Sequence, residues 1–435
     1  MDSINKQKIL IIGAGGGREH ALGWKIAQSP RAGQIFFAPG NAGTERIGTN
    51  VDIKSNDILK LLDFAKKEKV DLTLAVSDEP LYLGVVDEFR KRGLRIWGPT
   101  KAASQIEWSK VFSKDFMHRH NLPTAEFQTF SDYQKAKYYA MRQSLPVVIK
   151  VDGLAFGKGV IIANTHDEAC KAIEDILVKK IFSDSGNEVV IEEFLIGPEI
   201  SIHVLSDGIN YKIFPSSQDH KRIGEGDTGG NTGGMGVIGP LPFVNKEIME
   251  KIEKEIIAPI LRAMEEDGIP FEGILYPSLM LTTDGPKIIE FNARFGDPEA
   301  QTYMRLLDTD LLDILDACVD KKLDKIEIKW REKFACNIAL ASGGYPGNYE
   351  KGKIIGGIDE AEMQPDIIVF HAGTIMKNRT LVTNGGRVLG VSATAGTLEE
   401  ALKKAYKAID KISFEGMQYR RDIGKKALAQ ILILK

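Results

Sequence analysis

Short apolar runs alternate with stretches of helical period along the first hundred residues. Lys8–Ile12, Gln34–Ala38, Leu72–Val76 and Arg95–Trp97 are strand-like. Between them, Glu19–Ala27, Ile58–Glu68 and Leu83–Arg92 carry the 3.6-residue spacing of helices. That rhythm predicts a parallel sheet covered on both faces. Gly98-Pro99 closes this unit, and a helical stretch, Ala102–His120, leads to Pro123 and a second one. There, Leu145–Lys150 and Val160–Ala163 read as strands joined by a glycine-rich turn, followed by a helix at Asp167–Lys179 and strands at Glu188–Glu193 and Glu199–Leu205. Ser216–Pro240 is polar, dense in glycine and without period, so it predicts a long loop. A long helix at Lys246–Glu266 and two strands, Gly273–Leu281 and Lys287–Phe291, come next. From about Lys325 the pattern turns to short strands with Gly/Asn turns and one helix, Leu398–Ile409. No fixed-period repeat is present.

Size and composition narrow the class. At 435 residues the chain exceeds one ordinary core, which predicts two to four domains. The formal net charge is −3 with no run of Lys or Arg, which argues against nucleic acid as a partner. No stretch reaches the roughly 18 apolar residues of a membrane span, and the start lacks a signal-peptide core. Cys170, Cys318 and Cys336 lie far apart, which predicts a reducing, cytoplasmic setting and no cysteine zinc site. His118 and His120 are two apart in a helical pattern and do not share a face, so they read as surface or capping residues.

The chemistry concentrates in five segments. In Lys287–Glu299, Glu290, Asn292 and Arg294 occupy alternate positions and point the same way. The first two offer oxygen to a hard cation such as Mg²⁺; the third offers a planar cationic fork. A strand edge with solvated polar residues is the plainer alternative. Gly13–His20 follows the first strand and opens the first helix, a place for an anion or simply a tight turn. It fails as a dinucleotide fingerprint, because Arg18 stands where G-x-G-x-x-G needs glycine. Lys150–Gly159 is a glycine hairpin with lysines but without the spacing or Ser/Thr of a P-loop, and it can fold over phosphates or be an ordinary turn. Val190–Leu195 sets acids beside large apolar groups that suit a flat base, with Glu199 as an acid for ribose hydroxyls; taken alone, the segment is better read as a core strand with an exposed acid. Gln218–Gly236 reads as a ligand-bearing loop, with His220, Lys221, Arg222, Asn231 and Thr232 among its glycines.

Together these segments resemble the ATP-grasp superfamily and, within it, the phosphoribosylamine–glycine ligases, or glycinamide ribonucleotide synthetases. The resemblance runs from Ile11 to Gly424. Its marks are residues 16–21, 38–44, Ser109-Lys110, 150–159, 192–195, 218–222, 231–236, 290–299, 370–374 and 383–388. It implies an α/β ATP-grasp fold with an N-terminal parallel α/β domain at 1–105, an ATP-grasp region at 106–325 with a lid subdomain at about 124–194, and a small C-terminal β-rich domain at 326–435. Residue by residue, it implies Mg²⁺ or Mn²⁺ on Glu290 and Asn292. ATP would meet Lys110, Lys150, Gly157, Lys158, Glu192, Glu193, Phe194, Leu195 and Glu199. Catalytic roles would fall to Lys150, Arg294, Asp219 and His220. The glycine side would take Arg294, Asn231, Thr232, Gly233, Gly234 and Met235. Phosphoribosylamine would take Gly16, Gly17, Arg18, Glu19, Asn41, Gly43 and Thr44. The implied reaction is ATP-dependent ligation of glycine to 5-phosphoribosylamine. Two departures from the family pattern stand out: one more glycine in the first turn, and a segment Ser77–Leu81 one residue shorter than usual.

Overall fold

The computed structural model describes residues 6–153, 159–182 and 186–434. The first unit is an all-parallel five-stranded sheet in the order Thr49–Asn50, Ala32–Ala38, Gln7–Ile12, Leu72–Ala75, Ile96–Trp97. Strand alternation sorts its central residues into two layers. Ile9 and Ile11 pack with Ala21 and Leu22 of the helix Gly17–Ile26 and with Leu312 and Leu315 of the helix Leu311–Val319. Leu10 and Ile12 pack with Leu61, Leu62 and Phe89 on the other face.

One expected helix is found almost as placed and one is divided. Leu83–Arg92 appears as Val85–Lys91, which starts after Gly84, whose φ of 86° is left-handed and suits glycine; a further short helix, Asp78–Tyr82, precedes it. Ala102–His120 resolves into Lys101–Trp108 and Lys110–Arg119. Ser109 between them is extended, and its hydroxyl caps the second helix by accepting the Phe112 N–H at 3.1 Å.

A four-stranded antiparallel sheet follows, in the order Phe127–Phe130, Val189–Glu193, Val147–Val151, Val160–Ala163. Helices Tyr133–Ala140 and His166–Leu177 cover it and give it a core of its own. Below it, Glu272–Thr282 is flanked on one side by Gly285–Asn292 and on the other by Glu199–Ser201 and Val204–Asp207. Those last two pieces keep one register, so the single strand expected at Glu199–Leu205 is interrupted only at Ile202-His203.

Ser216–Pro240 departs from the expected loop. It forms the short strands Gln218–Asp219, Arg222–Gly224, Thr228–Asn231 and Gly236–Gly239. The first and last join a sheet ordered Gln218–Asp219, Gly236–Gly239, Phe334–Ala341, Arg387–Ala395, Ile367–His371. That sheet crosses residue 325, and one apolar core runs beneath it from Ile238 to Ile338 and Ala405. The helix Leu398–Ile409 lies where periodicity placed it. The expected helix at Lys246–Glu266 is continuous, with a π-turn at Glu253–Ile257.

Candidate active site

All these units open onto one cleft of about 1880 Å³. Glu290, Asn292 and Arg294 line it together, as their alternate spacing requires. Each already meets a partner. The Lys221 ammonium lies 3.0 Å from Glu290 and 2.6 Å from Glu199. It is the main reason the Glu290 carboxyl is pulled down to about 2; Lys150 and Lys110 add to it against burial. Arg294 donates to the Asn292 amide oxygen at 3.0 Å and pairs with Glu107 at 2.8 Å. Glu107 also accepts the Ala293 N–H at 2.8 Å. Burial of Arg294 favours its neutral form, but Glu107, Asp78 and Glu299 together outweigh that, and its pKa is raised. Among the described residues no group of three or more His, Cys, Asp or Glu converges on a metal position. A cation here would therefore take one carboxylate and one amide oxygen from the protein.

The buried Lys150 pairs with the buried Glu192 and donates to the Ile289 carbonyl at 3.0 Å. Lys114 holds the other Glu192 oxygen at 2.5 Å and bonds the Thr124 hydroxyl at 2.8 Å. Burial pulls the Lys114 ammonium down to about 8 despite Glu192. Burial would raise the Glu192 carboxyl, but Lys150 and Lys114 prevail and hold it low. Glu192 is thus committed to two lysines. Glu193 is committed too, accepting Lys287 and the Glu126 N–H, each at 3.1 Å. What this segment offers a flat base is an apolar wall: Leu195 and Ile196 face the cleft with Val148, Val160, Ile162 and Met280. Phe194 and Lys110 also line it, whereas Gly157 and Lys158 lie outside the described residues.

Several expected site residues turn out to shape the site instead. His220 is buried, with Nδ1 bonded to the Gly236 carbonyl at 2.9 Å and Nε2 accepting the Gly424 N–H at 3.1 Å. Neither nitrogen is open for proton transfer, which corrects the catalytic role expected for it. Met235 is fully buried and belongs to the core. Glu19 accepts the N–H groups of Ala14 at 3.1 Å and Gly16 at 2.7 Å, bracing the glycine turn. Thr44 bonds the Asn41 carbonyl at 2.8 Å. Glu19, Thr44, Gly17, Gly43 and Gly234 are all set back from the cleft wall; Gly16, Arg18, Asn41, Asn231, Thr232 and Gly233 form part of it. Asp219 lines the cleft, and its carboxyl is raised by burial first and then by Glu299.

Asp297 lies just beyond Arg294 and lines the same cleft. Its carboxylate sits at the N-terminus of Gly17–Ile26, where an anion was expected. The Arg18 N–H donates to it, Gln301 donates at 2.8 Å, and Arg387 lies 3.6 Å away. Glu107, Lys114, Asp297 and Arg387 pair with the expected site residues or line the cleft beside them, and sequence reasoning gave them no role. Lys114 carried one signal, since it follows Lys110 by four on a helix and shares its face.

Buried neutral histidines predict an acid-sensitive fold. Burial takes His20 to about 3, and His220 and His371 to about 4, and holds His203 well below its usual value. Unfolded, each takes a proton below about 6.5. Stability is therefore full above that pH and lost as pH falls toward 4. The raised carboxyls of Asp219, Glu299 and Glu107 oppose this, three groups against four. A melting temperature that drops steadily from pH 7 to 4.5 is expected; a flat or rising profile would count against it.

Three family models match in succession: Phosphoribosylglycinamide synthetase N domain over residues 7–107, ATP-grasp (A) domain over 108–300 and C domain over 335–426. The chain belongs to the phosphoribosylglycinamide synthetase family. It is an ATP-binding ligase with the ATP-grasp fold. The phosphoribosylamine–glycine ligase of Vibrio parahaemolyticus is 49% identical over 97% of this chain and 99% of its own length. That of Chlorobaculum tepidum is 47% identical over 97% and 100%. The crystal structure of the Thermotoga maritima phosphoribosylamine–glycine ligase superposes with a TM-score of 0.83 at 35% identity, covering 95% of this chain and 99% of that one. A biotin carboxylase domain from Hydrogenobacter thermophilus, solved with magnesium and ADP, covers 95% of this chain and 91% of its own at TM-score 0.72, but at 14% identity it speaks for the fold alone. Among the described residues no helix is long and apolar enough to cross a membrane.

Proposed function

We propose that this chain ligates glycine to 5-phosphoribosylamine, giving glycinamide ribonucleotide, ADP and phosphate in de novo purine synthesis. The observation that carries the reading is the ionised Glu290 set among Lys221, Lys150 and Lys110 beside Asn292 and Arg294. Glycine's carboxylate is a poor electrophile. Its oxygen attacks the γ-phosphorus of ATP, the bond to the β-phosphate oxygen breaks, and glycyl phosphate forms with ADP leaving. The amine of phosphoribosylamine then attacks the acyl carbon, a C–N bond forms, and phosphate departs as the nitrogen loses a proton. Phosphoryl transfer is chiefly positioning and charge stabilisation. Lys150 and Lys110 would face the nucleotide phosphates and Arg294 the glycine carboxylate, with the adenine against the apolar wall. Glu290 and Asn292 would hold Mg²⁺ or Mn²⁺, which supplies positive charge to the phosphates.

In this reading residues 1–105 serve the phosphoribosylamine side, 124–194 form the lid, and 326–435 complete the wall. A cytoplasmic setting accords with three unpaired cysteines. A coupled ADP-release assay tests the whole. ADP release should require glycine and freshly made phosphoribosylamine together. Release driven by another acid, with none from glycine, would overturn the assignment.

A further inference from the structure

The hairpin Arg222–Gly224/Thr228–Asn231 has little of its own to hold it. Its sequence contains one apolar residue, Ile223, and four glycines. A lone two-stranded hairpin is marginal in water. Yet this one carries cleft residues: Lys221 precedes it, Arg222, Asp227 and Asn231 belong to it, and Thr232 follows.

A segment nearly two hundred residues later grips it. Arg420 is 1% exposed and binds Asp422 through two nitrogens, each at 2.8 Å. The same guanidinium donates to Asp227 at 2.7 Å and to the Arg222 carbonyl at 3.1 Å. Asp422 accepts the Gly226 N–H at 2.8 Å. The Arg421 N–H donates to Glu225 at 3.1 Å, and Lys426 pairs with the second Asp227 oxygen. Just before the hairpin, Gly424 donates to His220 at 3.1 Å. The first strand and the turn are therefore tied to residues 420–426. Asp227 takes φ 54°, a left-handed conformation disfavoured for aspartate, which a surrounding network must hold in place.

We propose that Arg420, with Asp422 and Asp227, is a latch that positions this hairpin, and through it Lys221 and Asn231–Thr232, against the reaction cleft. Arg420 is a positioning residue, acting through the hairpin. A planar fork suits it, since it satisfies two carboxylates and a carbonyl at once; lysine offers one point of charge. The consequence for chemistry rests on the glycyl phosphate reading above. A hairpin free to swing admits water to the acyl phosphate, so ATP is cleaved without product.

The test compares wild type with Arg420→Lys, Arg420→Gln and the milder Asp227→Asn. Four readings are taken: glycine KM, the ratio of ADP to glycinamide ribonucleotide, trypsin cleavage after Lys221 and Arg222 under native conditions, and melting temperature. For the variants a glycine KM raised roughly ten- to a hundredfold is expected. Their ADP-to-product ratio should rise above one and their cleavage at 221–222 should quicken, with bulk melting temperature shifted less for Asp227→Asn than for Arg420→Gln. Unchanged cleavage and a ratio of one in Asp227→Asn would overturn the latch. So would a loss confined to melting temperature across all three variants. Wild type forming no product from glycine would overturn the ligase reading instead, while the cleavage comparison would still decide the latch.

Discussion

Glu290→Gln is expected to lower turnover by about two to four orders of magnitude at saturating ATP and glycine, equivalent to several kcal/mol of lost charge stabilisation. The fold should survive. Glutamine keeps the volume and one oxygen, and Lys221 keeps Glu199 at 2.6 Å as a partner. Melting temperature without nucleotide should therefore change little. With nucleotide and Mg²⁺ the wild type should gain stability that the variant does not, because a ligand that binds only the folded state raises apparent stability. The Glu290 carboxyl is held at about 2, so it stays ionised at any working pH. An acid limb in the rate profile above pH 4 must then come from another group. Wild-type turnover at limiting Mg²⁺ in the variant would remove Glu290 from the metal site.

How far the sequence reached depends on what kind of signal each element carries. The N-terminal sheet was legible because buried parallel strands and their helices repeat a strong apolar rhythm. Ile58–Glu68, Val160–Ala163 and Leu398–Ile409 fall at the expected residues for the same reason. Ser216–Pro240 was not legible, since strands of two to four residues built on glycine have no period to read. The start of Val85–Lys91 and the break within Ala102–His120 turn on single residues, Gly84 and Ser109, whose effect is local and stronger than the surrounding pattern. At the site, side chains on one strand were placed correctly in relation to one another, as for Glu290, Asn292 and Arg294. Partners from distant segments were not, because nothing along the chain links Lys114 to Glu192 or Asp227 to Arg420. His220 shows the opposite error. A histidine among ligand-type residues looked chemical, but its nitrogens serve the backbone of residues 236 and 424.

Arg294 is where strand parity and tertiary partners meet, and its replacement by lysine is the second large effect. The guanidinium bridges Glu107 at 2.8 Å and the Asn292 oxygen at 3.0 Å, with a third donation to the Phe295 carbonyl at 3.3 Å. Among the described residues its Nε has no hydrogen-bond partner. One charge thus links a metal-side amide to a buried acid and still has a donor to give. Lysine preserves the charge but cannot span these positions in a plane. Glycine KM is expected to rise and turnover to fall by roughly a hundredfold, the scale seen when a donor aimed at developing charge is removed. ATP affinity without glycine should stay near wild type, since Lys150 and Lys110 remain. A bracing role alone would read differently. If Arg294 only neutralises Glu107, Arg294→Lys should lower melting temperature and leave glycine KM near wild type. A second variant, Glu107→Gln, separates the two further. It removes the acid and leaves the fork, so glycine KM should change less than in Arg294→Lys if the fork itself holds the carboxylate of glycine.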